Sequence, residues 1–392
     1  MVDVPEVLAS IDAEWIADRA STMIQIPSVT MNEKEICAYF VAQLEDMGLP
    51  VDVREVTPGR NNLYARIPGT GGGPSLALNG HLDTIPIGSA WPCRRVGNRI
   101  HGRGAEDMKG AMAAMLAAGR ALIENGVRLK GDLWLTAVVG HEEPEARKDG
   151  PLAFVADVKS SRLPCDRILI VEGDQSLWVM SMGSTVFSIT MDSDRGGTHT
   201  NNVPFADSPI RYMGDLIREV CTLQSRLDAG ARHHLAGPER IDLGIARAGD
   251  YHNRTPLKIY VEGTRRWMPG KTVDDVMAEI ESIAAPIARA GGLKLSVSHE
   301  MEREPFEIPA QDPAVLAVKA AARQVLGRDP EVVGRRVVGD ANIYVHGCGV
   351  PSFYFGPGYK TAHSDDESVD LADLCMVARV CATAAIRYCG VS

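Results

Sequence analysis

Three short runs constrain this chain most: SLALNGHLD (75–83), GDLWLTAVVGHEE (131–143) and RILIVEGD (167–174). Each is apolar almost throughout and closes on His, Asp or Glu. Continuous apolarity over so few residues marks a strand covered on both faces, where a half-exposed strand would alternate. Around them lie stretches of helical spacing at 11–24, 33–48 and 108–126. The second ends at Gly48, a good helix stop. Buried strands alternating with helices predict an α/β domain of three layers around a central mixed sheet.

The pattern changes near Gly183. TVFSITMDSD alternates apolar and polar residues, SPIRYMGDLIREVCTLQSRL is an amphipathic helix, and LKIYVEGTRRWM, TVDDVMAEIESIAAPIARAGG and LKLSVSHEMER follow as strand, helix and strand. Residues 184–304 therefore predict a separate α+β unit of ferredoxin-like type. Buried patterning returns in PAVLAVKAAARQVLG, VPSFYFG and the helix DLADLCMVARVCATAAIRYCG. The expected organisation is one α/β domain, 1–183 and 305–392, interrupted by a smaller one at 184–304.

Composition narrows the function classes. The formal net charge of −10 argues against a nucleic-acid partner, since nothing would neutralise phosphates. It leaves room for a small anionic substrate, which needs only a local arginine. No apolar run reaches the roughly 18 residues of a membrane span, so no membrane partner is expected. The opening MVDVPEVLASID lacks the basic and apolar regions of a secretory signal. None of the eight cysteines is spaced as CxxC; they are expected to be reduced, in a cytoplasmic protein.

The charged strand ends carry the chemistry. NGHLD supplies His81 and Asp83, GRGAEDMKG supplies Asp107, GHEEPE supplies Glu142 and Glu143, and VEGD supplies Glu172 and Asp174. GPGYKTAHSDDES adds His363 with Asp365, Asp366 and Glu367. Sites in α/β sheets form at the carboxyl ends of strands. A buried carboxylate is costly unless its charge is met, and one shared cation site meets all of these together. Mixed His and carboxylate donors suit zinc, manganese or cobalt. In HxD on a strand the two side chains share a face. His81 can then bind metal while Asp83 accepts its other ring N–H. Of the adjacent Glu142 and Glu143, one can bind metal while the other stays free as a base. Asp365, Asp366 and Glu367 are expected to cap the following helix or face solvent, and GTGGGP reads as a turn.

These pieces resemble the metallopeptidase family of acetylornithine deacetylase, succinyl-diaminopimelate desuccinylase, carboxypeptidase G and aminoacylase. The likeness rests on NGHLDTIP, Trp91 followed by IHGRGAEDMKG, the GHEE pair, LIVEG, GTHTNNVPF, HNRTP, VVGDANIY and FGPGYKTAHSDDESV, in the family's order along nearly the whole chain. The resemblance implies a hydrolase cleaving an amide or peptide C–N bond of a small amino-acid-like or carboxylate substrate with two divalent ions. His81, Asp107 and Glu172 would hold one ion; Asp107, Glu143 and His363 would hold the other. Glu142 would be the general base and Asp83 a supporting residue. The Asp107–Met108 peptide would be cis. The inserted domain would be a lid that also forms a homodimer interface, with His199 stabilising the oxyanion and Asn253 and Arg266 or Arg265 contacting substrate.

The chain departs from the family at His141, where Asp is usual; this histidine reads as structural or, alternatively, as a group that tunes the site. Asp174 is the reserve for Glu172 as third-strand ligand. Two other functions stay open at this point. One is hydrolytic deamination of a non-peptide substrate on the same site; the other is a non-catalytic binding protein that keeps the fold.

Overall fold

The computed structural model describes residues 3–90 and 92–392, so Trp91 of the quoted motif lies outside the described residues. The chain separates into two units. The larger comprises residues through Val179 with Ile308–Val333 and Gly339–Ser392; the smaller comprises Met180–Glu307 and Gly334–Val338. The short return at 334–338 is absent from the sequence expectation. It joins the smaller unit because it runs beside 181–182: the Ser181 hydroxyl donates to Val337 O, and Met182 N donates to Arg335 O at 3.0 Å.

The larger unit is built on strands β1 (Val51–Thr57), β2 (Arg60–Ile67), β3 (Leu76–His81), β4 (Leu133–Val138), β5 (Arg167–Ile170) and the first three residues of β6 (Leu177–Ser181), with a late strand, Ser352–Tyr354. Their order in the sheet is β1, β2, β4, β3, β5, the late strand and β6. The four central strands, β4, β3, β5 and Ser352–Tyr354, run parallel; β1, β2 and β6 are antiparallel to their neighbours. Every residue of β3 and β4 is buried, as their continuous apolarity requires.

Two adjacent residues of β3 show how both faces are covered. Successive strand residues point to opposite sides. Asn79 accepts from the Tyr344 hydroxyl at 3.2 Å, which places the helix Asp340–Cys348 on one face. Gly80 lies against Met108 and Met112 on the other, where an added Cβ would sit 2.4 Å from both side chains. On that second face the helix Lys109–Glu124 packs with Ala13–Gln25 and Leu371–Cys389. No helix among the described residues is long and apolar enough to cross a membrane.

The smaller unit contains β7 (Gly183–Asp192), β8 (Arg240–Ala248), β9 (Lys258–Trp267) and β10 (Lys294–Arg303), with helices Pro209–Ala229 and Val273–Gly291. The sheet order β8, β9, β7, β10 is that of a ferredoxin-like unit. Its core joins Phe187, Ile189, Ile259, Val261 and Trp267 of the sheet to Leu216, Val220 and Ile280 of the helices.

Candidate metal centre

All four parallel strands end at one edge of the sheet, and each feeds the same place. His81 is the last residue of β3, Glu172 lies two residues past β5, residues 141–143 follow β4, and His363 lies on the loop after Ser352–Tyr354. Asp107 comes from the loop that enters the helix Lys109–Glu124, across a cis Asp107–Met108 peptide.

Asp107 divides its carboxylate between two histidines. Its Oδ1 is 3.1 Å from His81 Nε2 and its Oδ2 is 3.3 Å from His363 Nε2. The same His363 nitrogen is 3.2 Å from Glu142 Oε1. Donor atoms of His81, Asp107 and Glu142 lie within 4.8 Å of one another, as do those of His81, His141 and Glu172. Three imidazoles and three carboxylates thus converge, with His363 exposed and the other five buried or partly buried.

Burial opposes ionisation of Asp107, but hydrogen bonds from His363 and His81 override it and hold its carboxyl below the usual range. Burial likewise opposes charge on His81, and the Asp107 contact outweighs it, so His81 holds its proton well above the usual pH. His363, bonded to Asp107 and Glu142, is raised to about 10. Burial, then the charge of Asp107, pushes Glu172 well above the ordinary carboxyl range. Protons on imidazoles are balancing carboxylates here, as a divalent cation would. The donor chemistry and this need for positive charge fit a divalent cation.

The loops are held by Asp83, Glu367 and Glu106 through contacts that sequence spacing did not define. Asp83 is fully buried, and its carboxylate accepts from the backbone N–H groups of His141 (3.0 Å) and Glu142 (2.9 Å) and from the Thr30 hydroxyl (2.7 Å). This corrects one expectation. The His81 ring nitrogen Nδ1 lies 2.9 Å from the Asp83 backbone carbonyl, while the carboxylate, already occupied, stands 3.8 Å away. Glu367 is also buried rather than solvent-facing. Its Oε1 accepts from the backbone of Gly104, Glu106 and Asp107 at 3.0–3.1 Å, fixing the Asp107 loop. Asp365 and Asp366 are exposed, as expected. Glu106 ties the His363 loop through the backbone N–H and hydroxyl of Thr361. Tyr359, on the same loop, sets its ring edge-on to Trp178 at 5.5 Å; burial and then the charge of Glu172 keep its phenol protonated.

The other candidates fall as follows. Glu172 is buried beside His81, whereas Asp174 accepts from Ser176 and Trp178 Nε1 and so holds its own turn. Glu143 enters none of the close donor groups among the described residues; its backbone N–H donates to Thr30 at 3.3 Å. In the smaller unit His199 Nε2 lies 2.8 Å from the Asn253 side-chain amide, so these two residues form one pair. Arg265 faces the core and is committed to Glu239 and Glu279, and is therefore removed from any substrate. Arg266, the next residue on β9, points to the opposite face and reaches the carbonyl of Arg336. A further donor group, His233, His234 and Glu307, is a poorer cation site. His233 Nδ1 accepts from Leu235 N, which leaves its Nε2 protonated and facing Glu307 at 3.2 Å.

Known proteins resemble this chain over nearly its whole length. The chain is 26% identical over 413 residues to an N-formyl-4-amino-5-aminomethyl-2-methylpyrimidine deformylase of Bacillus subtilis, covering 96% of this chain and 95% of the relative. It is 29% identical over 387 residues to a succinyl-diaminopimelate desuccinylase of a Methylobacterium species, covering 92% and 93%. Among solved structures it shares the fold of aminopeptidase PepT from Bacillus cereus (TM-score 0.80, 18% identity, 96% of this chain and 99% of that one). It also shares the fold of human carnosine dipeptidase 1 (TM-score 0.75, 16% identity, 99% of each). Residues 77–387 match the family described as Peptidase family M20/M25/M40; the chain belongs to that family and is a hydrolase of C–N bonds.

Proposed function

We propose that this protein removes the acyl group from the nitrogen of a small amine or amino acid, with two divalent ions and Glu142 as the proton carrier. The observation that carries this reading is the Asp107 carboxylate set between His81 and His363, with Glu142 on the same His363 nitrogen. His81, Asp107 and Glu172 would hold one ion, and Asp107, Glu143 and His363 the other. When bound, such a pair supplies Lewis acidity at the acyl oxygen and a water acidified to near neutrality.

The chain's own residues do the rest. Glu142 takes a proton from the attacking water and returns it to the departing nitrogen. Its backbone is pinned by Asp83, so its carboxylate keeps a fixed reach. The His199–Asn253 pair is the reading's oxyanion and substrate contact, and Arg266 its contact for a substrate carboxylate. Two named relatives remove different acyl groups, formyl and succinyl, from different amines, which supports acyl–nitrogen cleavage as the shared step. Zinc, manganese and cobalt are the candidate ions. The eight free cysteines support a reducing, cytoplasmic setting. Pairing of two copies through the smaller unit, whose sheet leaves β10 at an edge, belongs to the same reading; a monomeric mass in sedimentation would sink it.

The deciding experiment is Glu142→Gln assayed against N-formyl, N-acetyl and N-succinyl amines and amino acids and dipeptides, with each metal added. Wild type turns over at least one N-acyl compound. The variant loses about 10²- to 10⁴-fold in kcat while retaining its metal. A variant that kept most of its activity would overturn the mechanism.

A further inference from the structure

His141 is the residue that the metal-ligand scheme leaves without a role. It follows Gly140 on the loop after β4, and its backbone N–H is held by Asp83. Its buried ring lies flat on that of His81, with centroids 4.1 Å apart and planes within 5°. Its Nδ1 sits 2.8 Å from Asp340 Oδ1. Asp340 opens the helix Asp340–Cys348, and its other oxygen is 3.4 Å from the Tyr344 hydroxyl. That hydroxyl donates to Asn79, two residues before His81 on β3. The contacts run from β3 through Tyr344, Asp340 and His141 and return to β3 at His81.

Donor atoms of His141 come within 4.8 Å of those of His81 and Glu172, which invites a second imidazole ligand. The ring geometry argues otherwise. An imidazole binds a cation in its own plane, along the nitrogen lone pair. Two parallel rings a stacking distance apart cannot both aim in-plane lone pairs at one ion. What stacking does supply is a fixed plane. His81 has in-plane contacts at both nitrogens, to Asp83 O and to Asp107, and a flat ring laid on it removes its freedom to tilt out of that plane.

We propose that His141 is a positioning residue: a stacked plate, braced by Asp340, that locks the plane of His81 and so raises the affinity of the His81–Glu172 side for its divalent ion. The inference rests on the metallohydrolase reading above and concerns a residue outside the ligand set. Partners that orient a ligand histidine typically contribute 10- to 100-fold to metal affinity.

The test is the Co²⁺ dissociation constant and visible absorption of the full chain, metal-stripped, for wild type, H141A, D340N and the double variant H141F/D340N. The double variant keeps a flat ring and avoids leaving a buried carboxylate unpaired. H141A is expected to weaken binding about 10- to 100-fold. H141F/D340N is expected to stay within about threefold of wild type with an unchanged Co²⁺ spectrum, and D340N to fall between the two. If H141A does not fold, the double variant decides. Wild-type affinity in H141A overturns the proposal. So does an H141F/D340N variant that loses affinity and changes its Co²⁺ spectrum, which would make His141 a ligand. A wild-type chain that takes up no divalent ion overturns both the proposal and the metallohydrolase reading.

Discussion

Both units bury ionic clusters, and the two clusters are opposites. In the smaller unit Arg265 meets Glu239 at 2.5 Å and Glu279 at 2.7 Å, and Lys271 adds a second cation 2.8 Å from Glu239. Two positive groups face two carboxylates and the account closes. At the strand ends of the larger unit Asp107, Glu142 and Glu172 face histidines that balance them only while protonated, with Asp83 and Asp340 buried close by. The first arrangement is complete as it stands and serves the fold. The second closes only by holding protons on its histidines and on Glu172, places that a cation can take. Burial alone therefore does not identify a functional charge cluster; how its charges are met does.

The contrast can be broken at either end. The largest expected effect is at Asp107. Asp107→Asn leaves one ligand oxygen where two histidines are served, and activity should fall by at least about 10³-fold with loss of metal measured by plasma emission. A variant that retained two ions per chain would show that the strand-end cluster is not the receptor. Next is Arg265→Met, which leaves the buried Glu239 with Lys271 as its one described cation and takes Arg265 from Glu279. It should cost about 3–5 kcal/mol in chemical denaturation, with unfolding of the smaller unit at lower denaturant. An unchanged transition would mean that the closed cluster is dispensable.

The smallest effect is a matter of pH. His363 is raised from 6.5 to about 10 by Asp107 and Glu142. In the metal-free chain its ion pairs therefore stabilise fully below pH 6.5 and fade as pH rises through about 10. A ligand histidine must be neutral, so metal uptake at pH 8 should release about one to two protons per chain, with affinity rising toward pH 10. Indicator-dye titration measures this directly. Binding without proton release would remove the histidines from the ligand set.

The sequence made the strand-end donors legible because a buried apolar run that stops at a charged residue can be recognised from neighbours alone. The supports were not legible, because each is a contact across distance. Thr30 reaches Asp83 over 53 residues, Glu106 reaches Thr361 over 255, and Glu367 reaches the Asp107 loop over 260. Asp174 shows the same limit from the other side. It has the right residue type two positions after Glu172, and it is spent on its own turn. The sequence favours Arg266 over Arg265 only by its distance from Pro269, whereas the register of β9 sets Arg265 inward and Arg266 outward. The helix Asp340–Cys348, embedded in a motif rich in small and polar residues, carried no clear periodicity, and with it the support of His141 was hidden.

The strand Ser352–Tyr354 lies in the middle of the sheet, yet it comes late in chain order, long after the strands on either side of it. It separates β5 from β6, which leave the ribosome about 170 residues earlier. During synthesis the sheet has a gap at its centre that no earlier segment fills, and His363 arrives only after the gap is closed. The order of synthesis therefore delays the meeting of His363 with Asp107 and His81 until residues 352–363 have been made. The growing chain thus has a built-in delay before Asp107 can be shared between its two histidines.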